Sequence, residues 1–422
     1  MWHAGLLIGG IVAGAVAVLA ELGGASLASP DHPAIEYATR RTNDAVAQLN
    51  SKIQSGQVQL KFEGIQGYLR SVLKALDIPI ESQMVVFSKT SLEMHLISPH
   101  TPRTIFFNDR VAIGWVPREP FVELIADDPR QGVIFYTLDQ KPAERPVFVR
   151  HDDDCLVCHE SYSTLGVPGM QIRSVFTAPD GRQMRQFGDY TSDHRSPFEE
   201  RWGGWYVTGK QIPMRHLGNA MVTSPDTPHS ESENPRMGSL QVDMDGSSYL
   251  SPHSDIVALM VFDHQVQMIN LLTRVGWETR FALYDHHDLT DSLLRDGSRA
   301  LVDYLLFVDE APLGGRIEGS SGFAENFAAR GPRDHKGRSL RDFDLEKRLM
   351  RYPCSYMIYA DAFDSLPAEA KEAIYKRMWQ VLSGEEKDQR YARLSLADRQ
   401  AIVEILRDTK AGLPEYFQAV TR

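Results

Sequence analysis

The sequence has little cysteine, no excess of positive charge and no internal repeat, and each absence excludes a class of protein. Three cysteines in 422 residues are too few for a disulfide framework. Lys and Arg number 45 against 56 Asp and Glu, and the formal net charge of −11 argues against a nucleic-acid binder and against a broad surface for anionic membranes. The lack of a repeat excludes a solenoid. A composition that is 42% hydrophobic and 24% charged is that of an ordinary globular protein.

The N-terminus also lacks positive charge. Residues 1–28 are an uncharged, mostly apolar run as far as Ala20, followed by Glu21 and a stretch of small residues. This pattern predicts a secretory signal peptide cleaved after Ser26-Leu27-Ala28, or an uncleaved anchor, because about 20 apolar residues can span a bilayer. A buried core helix is the remaining alternative. Either of the first two readings places the rest of the chain outside the cytoplasm, in the periplasm.

The chemistry of the chain is concentrated in one motif. Residues Cys155–His159 read C-L-V-C-H, a single C-x-x-C-H. In an exported protein this spacing is typical of covalent haem c attachment. The thiols of Cys155 and Cys158 would add to the haem vinyl groups, and His159 would bind the iron as proximal ligand. Three aspartates at 152–154 supply an N-cap directly before the motif, which predicts that it opens a short helix.

Two other chemistries use the same cysteine spacing. A redox dithiol of the thioredoxin kind should follow a strand within a βαβ unit, and no such pattern surrounds residue 155. A structural zinc site usually needs four Cys or His ligands, yet the remaining cysteine, Cys354, lies far along the chain without a paired spacing. We therefore predict one covalent haem c, with Cys354 left as a buried free thiol beside Pro353.

The hydrophobic pattern predicts an α+β fold that is mostly α-helical, with a β-rich segment before the motif and a helical C-terminal half. We divide the chain into the N-terminal segment 1–28, a helical then β-rich region 30–150, a haem-binding region 151–245 and a helical region 250–422. The predicted strands include residues 84–87, 104–107, 111–115 and 133–136. The predicted helices of the last region are 254–275, 289–306, 344–351, 367–382 and 395–409, with a glycine-rich loop at 314–337.

The densest block of functional residue types follows the motif, from Asp193 to Asn219. Trp202 and Trp205 are predicted to lie on the two faces of a porphyrin, with Arg201 paired to its propionates. The glycines at 203–204 between the two tryptophans allow close approach to a large flat group, or else a tight bulge in a plain core. Further candidates for the propionates are Arg195 and Arg215.

The distal side of the iron needs a separate set of candidates. His216 lies in the same block, and His264 lies on the predicted helix 254–275. Further candidates are Met214, His253, Met260 and Met268. For each of them the alternative is an ordinary packed methionine or a hydrogen-bonded histidine. If none of them binds, the distal position of the iron is open.

The five motif residues resemble those of c-type cytochromes. Two further stretches, Arg201–Gly209 (RWGGWYVTG) and Arg351–Ser355 (RYPCS), are similar to large single-haem proteins of bacterial genomes. The resemblance implies covalent haem and export, and it implies no particular reaction. There is no second C-x-x-C-H, so the two-haem peroxidase pattern is absent.

These residues predict a periplasmic monohaem c-type cytochrome that carries out one-electron transfer with a periplasmic redox partner protein. The alternative is a haem c-dependent oxidoreductase, a peroxidase or small-molecule oxidase, with an open distal iron site and a small-molecule substrate. A sensor would need an output module, and none is visible in the sequence. The chain is several times longer than a small electron carrier, so we expect it also to bind a substrate or dock a partner. Nucleic acid is not an expected partner, and a membrane is expected only through the N-terminal segment.

Overall fold

A computed structural model describes residues 29–91, 94–223, 239–240, 248–287 and 291–418, with the side chains of 291–294 left out. The predicted signal peptide or anchor lies outside these residues, as does the boundary near residue 245. Among the described residues, helix makes up about 37% and strand about 15%, with the main sheet in the N-terminal half and most helices in the C-terminal half. The predicted α+β class is therefore confirmed.

Nine strands are present in the described part of the chain. They are β1 (Met84–Val86), β2 (Arg103–Phe107), β3 (Val111–Trp115), β4 (Phe121–Asp128), β5 (Gly132–Asp139), β6 (Phe148–His151), β7 (Ile172–Val175), β8 (Asp189–Ser192) and β9 (Trp205–Tyr206). Seven of them form an antiparallel sheet in the order β6-β5-β4-β3-β2-β1-β9, while β7 pairs with β8 alone. The four predicted strands lie in this sheet. β4 was not predicted, although its buried Val122 and Leu124 alternate with more exposed residues such as Glu123.

The helices follow mainly after the sheet. Within the described ranges they are α1 (Ala45–Gln54), α2 (Leu69–Ala75), α3 (Asp153–His159), α4 (Ile256–Tyr284), α5 (Asp291–Leu305), α6 (Phe323–Ala329), α7 (Asp361–Asp364), α8 (Ala368–Ser383) and α9 (Leu396–Thr409). The predictions for α4, α5, α8 and α9 are confirmed to within a few residues, except that α4 continues to Tyr284.

The two faces of the sheet contribute to two apolar cores. Val122 and Leu124 of β4 pack with α1 and α2 in one core. Phe107 and Phe135 face the other core with α4, where the rings of Phe107 and Phe262 lie 4.7 Å apart. This alternation follows from the period of two along a strand, which sends neighbouring side chains to opposite faces. The sheet is therefore buried on both sides over much of its area.

The long helix α4 is the central element of the larger core. By length and apolar composition it could cross a membrane, but its most apolar window is 100% buried in the protein. Asp255 caps its first turn, with Oδ1 accepting from the backbone N–H of Val257 at 2.8 Å. Its Oδ2 accepts from the N–H groups of Ser320 and Ser321, both at 2.7 Å. One carboxylate therefore fixes both the start of α4 and the loop 319–321.

Two predictions for the C-terminal half are wrong. Residues 344–351 are not a helix but a turn, closed by a bridge between Phe343 and Met350. The Asp344 carboxylate accepts hydrogen bonds from the N–H groups of Glu346 and Lys347, and such local bonds compete with helix formation. The predicted loop 314–337 contains the short helix α6, because its apolar side chains Phe323 and Phe327 are buried in the core.

Candidate functional site

The motif forms a short helix at the protein surface. α3 spans Asp153–His159 and follows directly after the edge strand β6. Cys155 is half-buried and Cys158 exposed, and neither forms a disulfide bond. Spacings of three and four residues place Cys158 and His159 on the same helix face as Cys155. The two sulfurs and the imidazole are thus presented together, as attachment to one porphyrin edge requires.

The start of α3 differs from the predicted capping arrangement. Asp152 occupies the N-cap position, but its side chain makes no capping bond. Its carboxylate instead accepts from Nε of Arg150 at 2.9 Å. The Arg150 guanidinium lies over the Tyr37 ring, 4.9 Å from the centroid, and donates to the Tyr37 carbonyl. The start of the motif is therefore held by the ion pair of Arg150 with Asp152 and by the contacts of Arg150 with Tyr37.

The imidazole of His159 is oriented by a backbone carbonyl. Its Nδ1 lies 2.9 Å from the carbonyl oxygen of Gly169, and the N–H of Gly169 donates to the His159 carbonyl at 2.8 Å. A carbonyl can only accept, so Nδ1 carries the proton and Nε2 keeps its lone pair. Burial lowers the pKa of His159, and the bond to Gly169 opposes part of that shift. A neutral imidazole with a free Nε2 lone pair is the form that binds iron.

The environment of Cys155 argues against a redox dithiol. Burial raises the pKa of its thiol to about 11, and the nearby carboxylate of Glu123 adds to the effect. Reactive dithiols need a lowered thiol pKa, so the shift is in the opposite direction. The strand before the helix, β6, also pairs antiparallel with β5, which differs from the parallel pairing of a βαβ unit.

A zinc site finds no support among the described residues. Cys354 is fully buried in the larger core, and burial raises the pKa of its thiol. Within the described ranges, the one group of acidic, His or Cys side chains close enough to share a metal consists of Asp334, His335 and Asp408. That group contains no cysteine. The prediction that Cys354 is a buried free thiol is confirmed.

Three side chains close to the motif were not predicted from the sequence. The ring of Phe135 lies 4.9 Å from that of His159, between centroids. Arg103 and Glu123 form a partly buried ion pair between β2 and β4, with the guanidinium lying over Gly114. Arg103 lowers the pKa of His159 and Glu123 raises it, after the larger effect of burial. The alternation of β4 could have revealed Glu123, but its proximity to the motif depends on strand pairing.

The two predicted porphyrin-stacking tryptophans lie in the core. The indole N–H of Trp202 donates to Oδ2 of Asp263 at 3.1 Å, and that of Trp205 donates to the Arg173 carbonyl at 2.8 Å. Both rings are buried in the larger core. The backbone at Gly203 passes so close to Val175 that an added Cβ would lie 2.8 Å from its carbonyl oxygen. At Gly204 an added Cβ would lie 2.5 Å from Cβ of Ser88. The two glycines thus allow tight packing in the core, the second of their two predicted roles.

Arg201 is fully engaged with other groups. Its Nε donates to the Ser196 carbonyl and one terminal nitrogen to the His194 carbonyl, both at 2.8 Å. The other terminal nitrogen lies 3.4 Å from the carboxylate of Asp263. Burial raises the pKa of Asp263 to about 7, and the Arg201 guanidinium opposes this shift. Propionate binding by Arg201 would require breaking this buried arrangement. Arg195 pairs with Asp193, and Arg215 is exposed.

His264 lies in a buried chain of hydrogen bonds. Its Nδ1 is 2.7 Å from Nδ1 of His194, and its Nε2 is 2.7 Å from Oγ of Ser355. The Tyr304 ring stacks on it with centroids 5.1 Å apart. Burial lowers the pKa of His264 to about 3, so the ring is neutral. Both nitrogens are engaged, and iron could bind only after one of these bonds is broken.

The remaining distal candidates have mixed environments. The ring of His216 is buried against Trp202, with centroids 5.5 Å apart, and burial lowers its pKa to about 4. Met260 and Met268 are buried within α4, as packed methionines are. Met214 and His253 are half-buried.

Comparisons with known proteins gave no match. No family model, curated protein or solved structure matches the chain. The geometry of the motif is therefore the basis for a functional conclusion.

Proposed function

We propose that the protein is an exported monohaem c-type cytochrome that transfers single electrons in the periplasm. Cys155 and Cys158 would hold one haem through thioether bonds, and His159 would be the proximal iron ligand. The haem would supply reversible one-electron chemistry at its iron. Residues 1–28 would direct export or anchor the protein to the membrane.

The observation that carries the proposal is the hydrogen bond from His159 to Gly169. It fixes the ring so that Nδ1 donates and Nε2 is left to bind a metal, at the position the sequence motif requires. A histidine that merely ended a surface helix would need no such support. The same face of α3 carries the two thiols, so all three residues fit covalent haem c.

The exposure of the motif supports electron transfer. Val157, between the two cysteines, is 80% exposed, and Tyr162 just after the helix is 72% exposed. Apolar side chains that protrude beside an attachment site offer contact area to a redox partner. Since Cys158 is exposed as well, the haem edge would lie near the surface. A periplasmic redox protein is therefore the proposed partner.

Haem attachment can be tested directly. We expect protein made with the cytochrome c maturation system to keep its haem through acid-acetone extraction, and intact mass to show the haem on the chain. Cys155→Ala and Cys158→Ala should each impair attachment, because each removes one thioether. His159→Ala should remove the proximal ligand and change the optical spectrum.

Cys354→Ala is the matched control, because it also removes a thiol but should leave both haem content and spectrum unchanged. Wild-type protein without haem-linked mass, although the maturation system is active, would refute the proposal.

A haem-dependent oxidoreductase is the second candidate, and the bonding of His264 favours it. With both imidazole nitrogens already engaged, His264 is a poor distal ligand, and a distal position left open would accept a small molecule. Rapid carbon monoxide binding to the ferrous protein at neutral pH would favour this candidate over the carrier. A low-spin spectrum indifferent to carbon monoxide, and changed by His216→Ala alone, would identify a closed site with His216 as ligand.

A further inference from the structure

The carbonyl that orients His159 is itself held by the central helix. Asn270 lies on α4 and is fully buried. Its Oδ1 accepts from the N–H of Met170 at 3.0 Å, and its Nδ2 donates to the carbonyl of Met170 at 2.8 Å. One side-chain amide thus satisfies both backbone groups of the residue that follows Gly169. A buried amide with this geometry fixes a backbone segment at two points.

Gly169 lies between Asn270 and the motif. An added Cβ at Gly169 would lie 2.3 Å from Oδ1 of Asn270 and 2.9 Å from Cβ of Thr164, so a larger residue does not fit without movement. The absence of a side chain lets Asn270 approach the backbone here. Two hydrogen bonds thus join Asn270 of α4 to Met170. The neighbouring carbonyl of Gly169 accepts from Nδ1 of His159.

We propose that Asn270 is a positioning residue for the proximal histidine. By holding Met170, it fixes the Gly169 carbonyl against Nδ1 of His159 and so sets the orientation and basicity of the imidazole. A carbonyl that accepts well from Nδ1 makes Nε2 a stronger electron donor, which stabilises ferric iron and lowers the reduction potential. This inference rests on the proposed function, because it requires haem iron at Nε2.

The test uses near-isosteric variants of two buried amides on α4. Asn270→Leu removes both hydrogen bonds to Met170 while keeping a similar shape. Gln265→Met is the control, since Gln265 is also buried but bonds away from the motif, to the Asn108 carbonyl and the Tyr356 hydroxyl at 2.8 and 2.7 Å. Both variants are expected to lose stability, because both leave buried polar groups without partners. Only the Asn270 variant is expected to change the haem.

The readouts are the reduction potential and the ferric electron paramagnetic resonance spectrum of the haem-loaded protein. We expect Asn270→Leu to raise the potential and shift the g values, while Gln265→Met matches the wild type in both. If the leucine variant does not accumulate, Asn270→Ser replaces it, with a smaller shift in the same direction. A loaded Asn270 variant with wild-type potential and g values would overturn the inference while leaving haem binding intact. Wild-type protein that carries no covalent haem would instead overturn the proposed function, and this inference with it.

Discussion

At the scale of single residues, the three cysteines have three different environments. Cys158 is exposed, Cys155 is half-buried, and Cys354 is enclosed in the core with its thiol pKa raised by burial. The thiolate is the form that reacts with alkylating reagents, so a cysteine reacts only if its thiol is both exposed and deprotonated. Haem attachment would consume the first two thiols. The thiol of Cys354 would then not react with alkylating reagents in the native protein.

The number of free thiols can be measured by alkylation with iodoacetamide. Native haem-loaded protein should take up no iodoacetamide, and the same protein in denaturant should take up one equivalent, as measured by intact mass. Cys354→Ala should take up none in either condition. Labelling of the native protein, or three labels after denaturation, would contradict the assignment of the cysteines.

The candidate site was predictable from sequence only where its contacts are local. The spacing within Cys155–His159 places three side chains on one helix face, and a helix is what the structure has. The supporting carbonyl of Gly169 and the amide of Asn270 come later in the chain, and no local sequence pattern predicts their contact with the motif. His264 illustrates the reverse case. Its place on an apolar helix made it a candidate ligand, whereas its hydrogen bond to His194, 70 residues away, could not be predicted from a local pattern.

At the scale of elements, the Asp255 carboxylate stabilises two segments, the first turn of α4 and the loop 319–321. We expect Asp255→Ala to lower the free energy of unfolding by about 3 kcal/mol, since it removes a helix cap and buried bonds to the loop 319–321. The matched control is Ser395→Ala at α9, an exposed capping box expected to cost about 1 kcal/mol. Urea denaturation at pH 7 measures both values. Equal losses at the two caps would contradict the dual role of Asp255.

Helices were predictable where the apolar periodicity and an N-cap residue indicated the same starting position. Ser395 and the apolar spacing after it indicated α9, and the structure begins that helix at Leu396. The prediction for residues 344–351 failed because the side chain of Asp344 closes a turn locally, which outweighs helix propensity there. The strand β9, at one edge of the main sheet, was not predicted because it has only two residues and is defined by its pairing with β1.

At the scale of the whole molecule, buried histidines couple stability to pH. In an unfolded chain a histidine takes up a proton near pH 6.5, whereas burial lowers the pKa of His216 to about 4 in the fold. Below pH 6.5 the unfolded state therefore binds more protons, and the free energy of unfolding falls as the pH drops towards 4. The loss for this one residue amounts to about 3 kcal/mol over that range. Buried carboxyls with a raised pKa, such as Asp263, act in the opposite sense.

The histidine contribution can be isolated by substitution. His216→Asn keeps a polar side chain that does not titrate, so its unfolding free energy should fall less steeply than that of the wild type between pH 6.5 and 4. The expected difference in slope is about 1.4 kcal/mol per pH unit. Urea denaturation at several pH values gives both curves, and His287→Asn, at an exposed histidine, is the control. Parallel curves for wild type and His216→Asn would contradict the pKa shift.

The pairing of β1 has a consequence for how the protein is made. β1 lies between β2, its near neighbour in the chain, and β9, which is synthesised only after the motif Cys155–His159. Until β9 has been synthesised and pairs with it, β1 is an open sheet edge that can pair with other chains. Its residues are apolar and are fully buried only in the complete fold. The sheet is therefore completed only after Cys155 and Cys158 have emerged. That order of synthesis leaves an interval in which both thiols are accessible on an incompletely folded chain, while the edge of β1 is still unpaired.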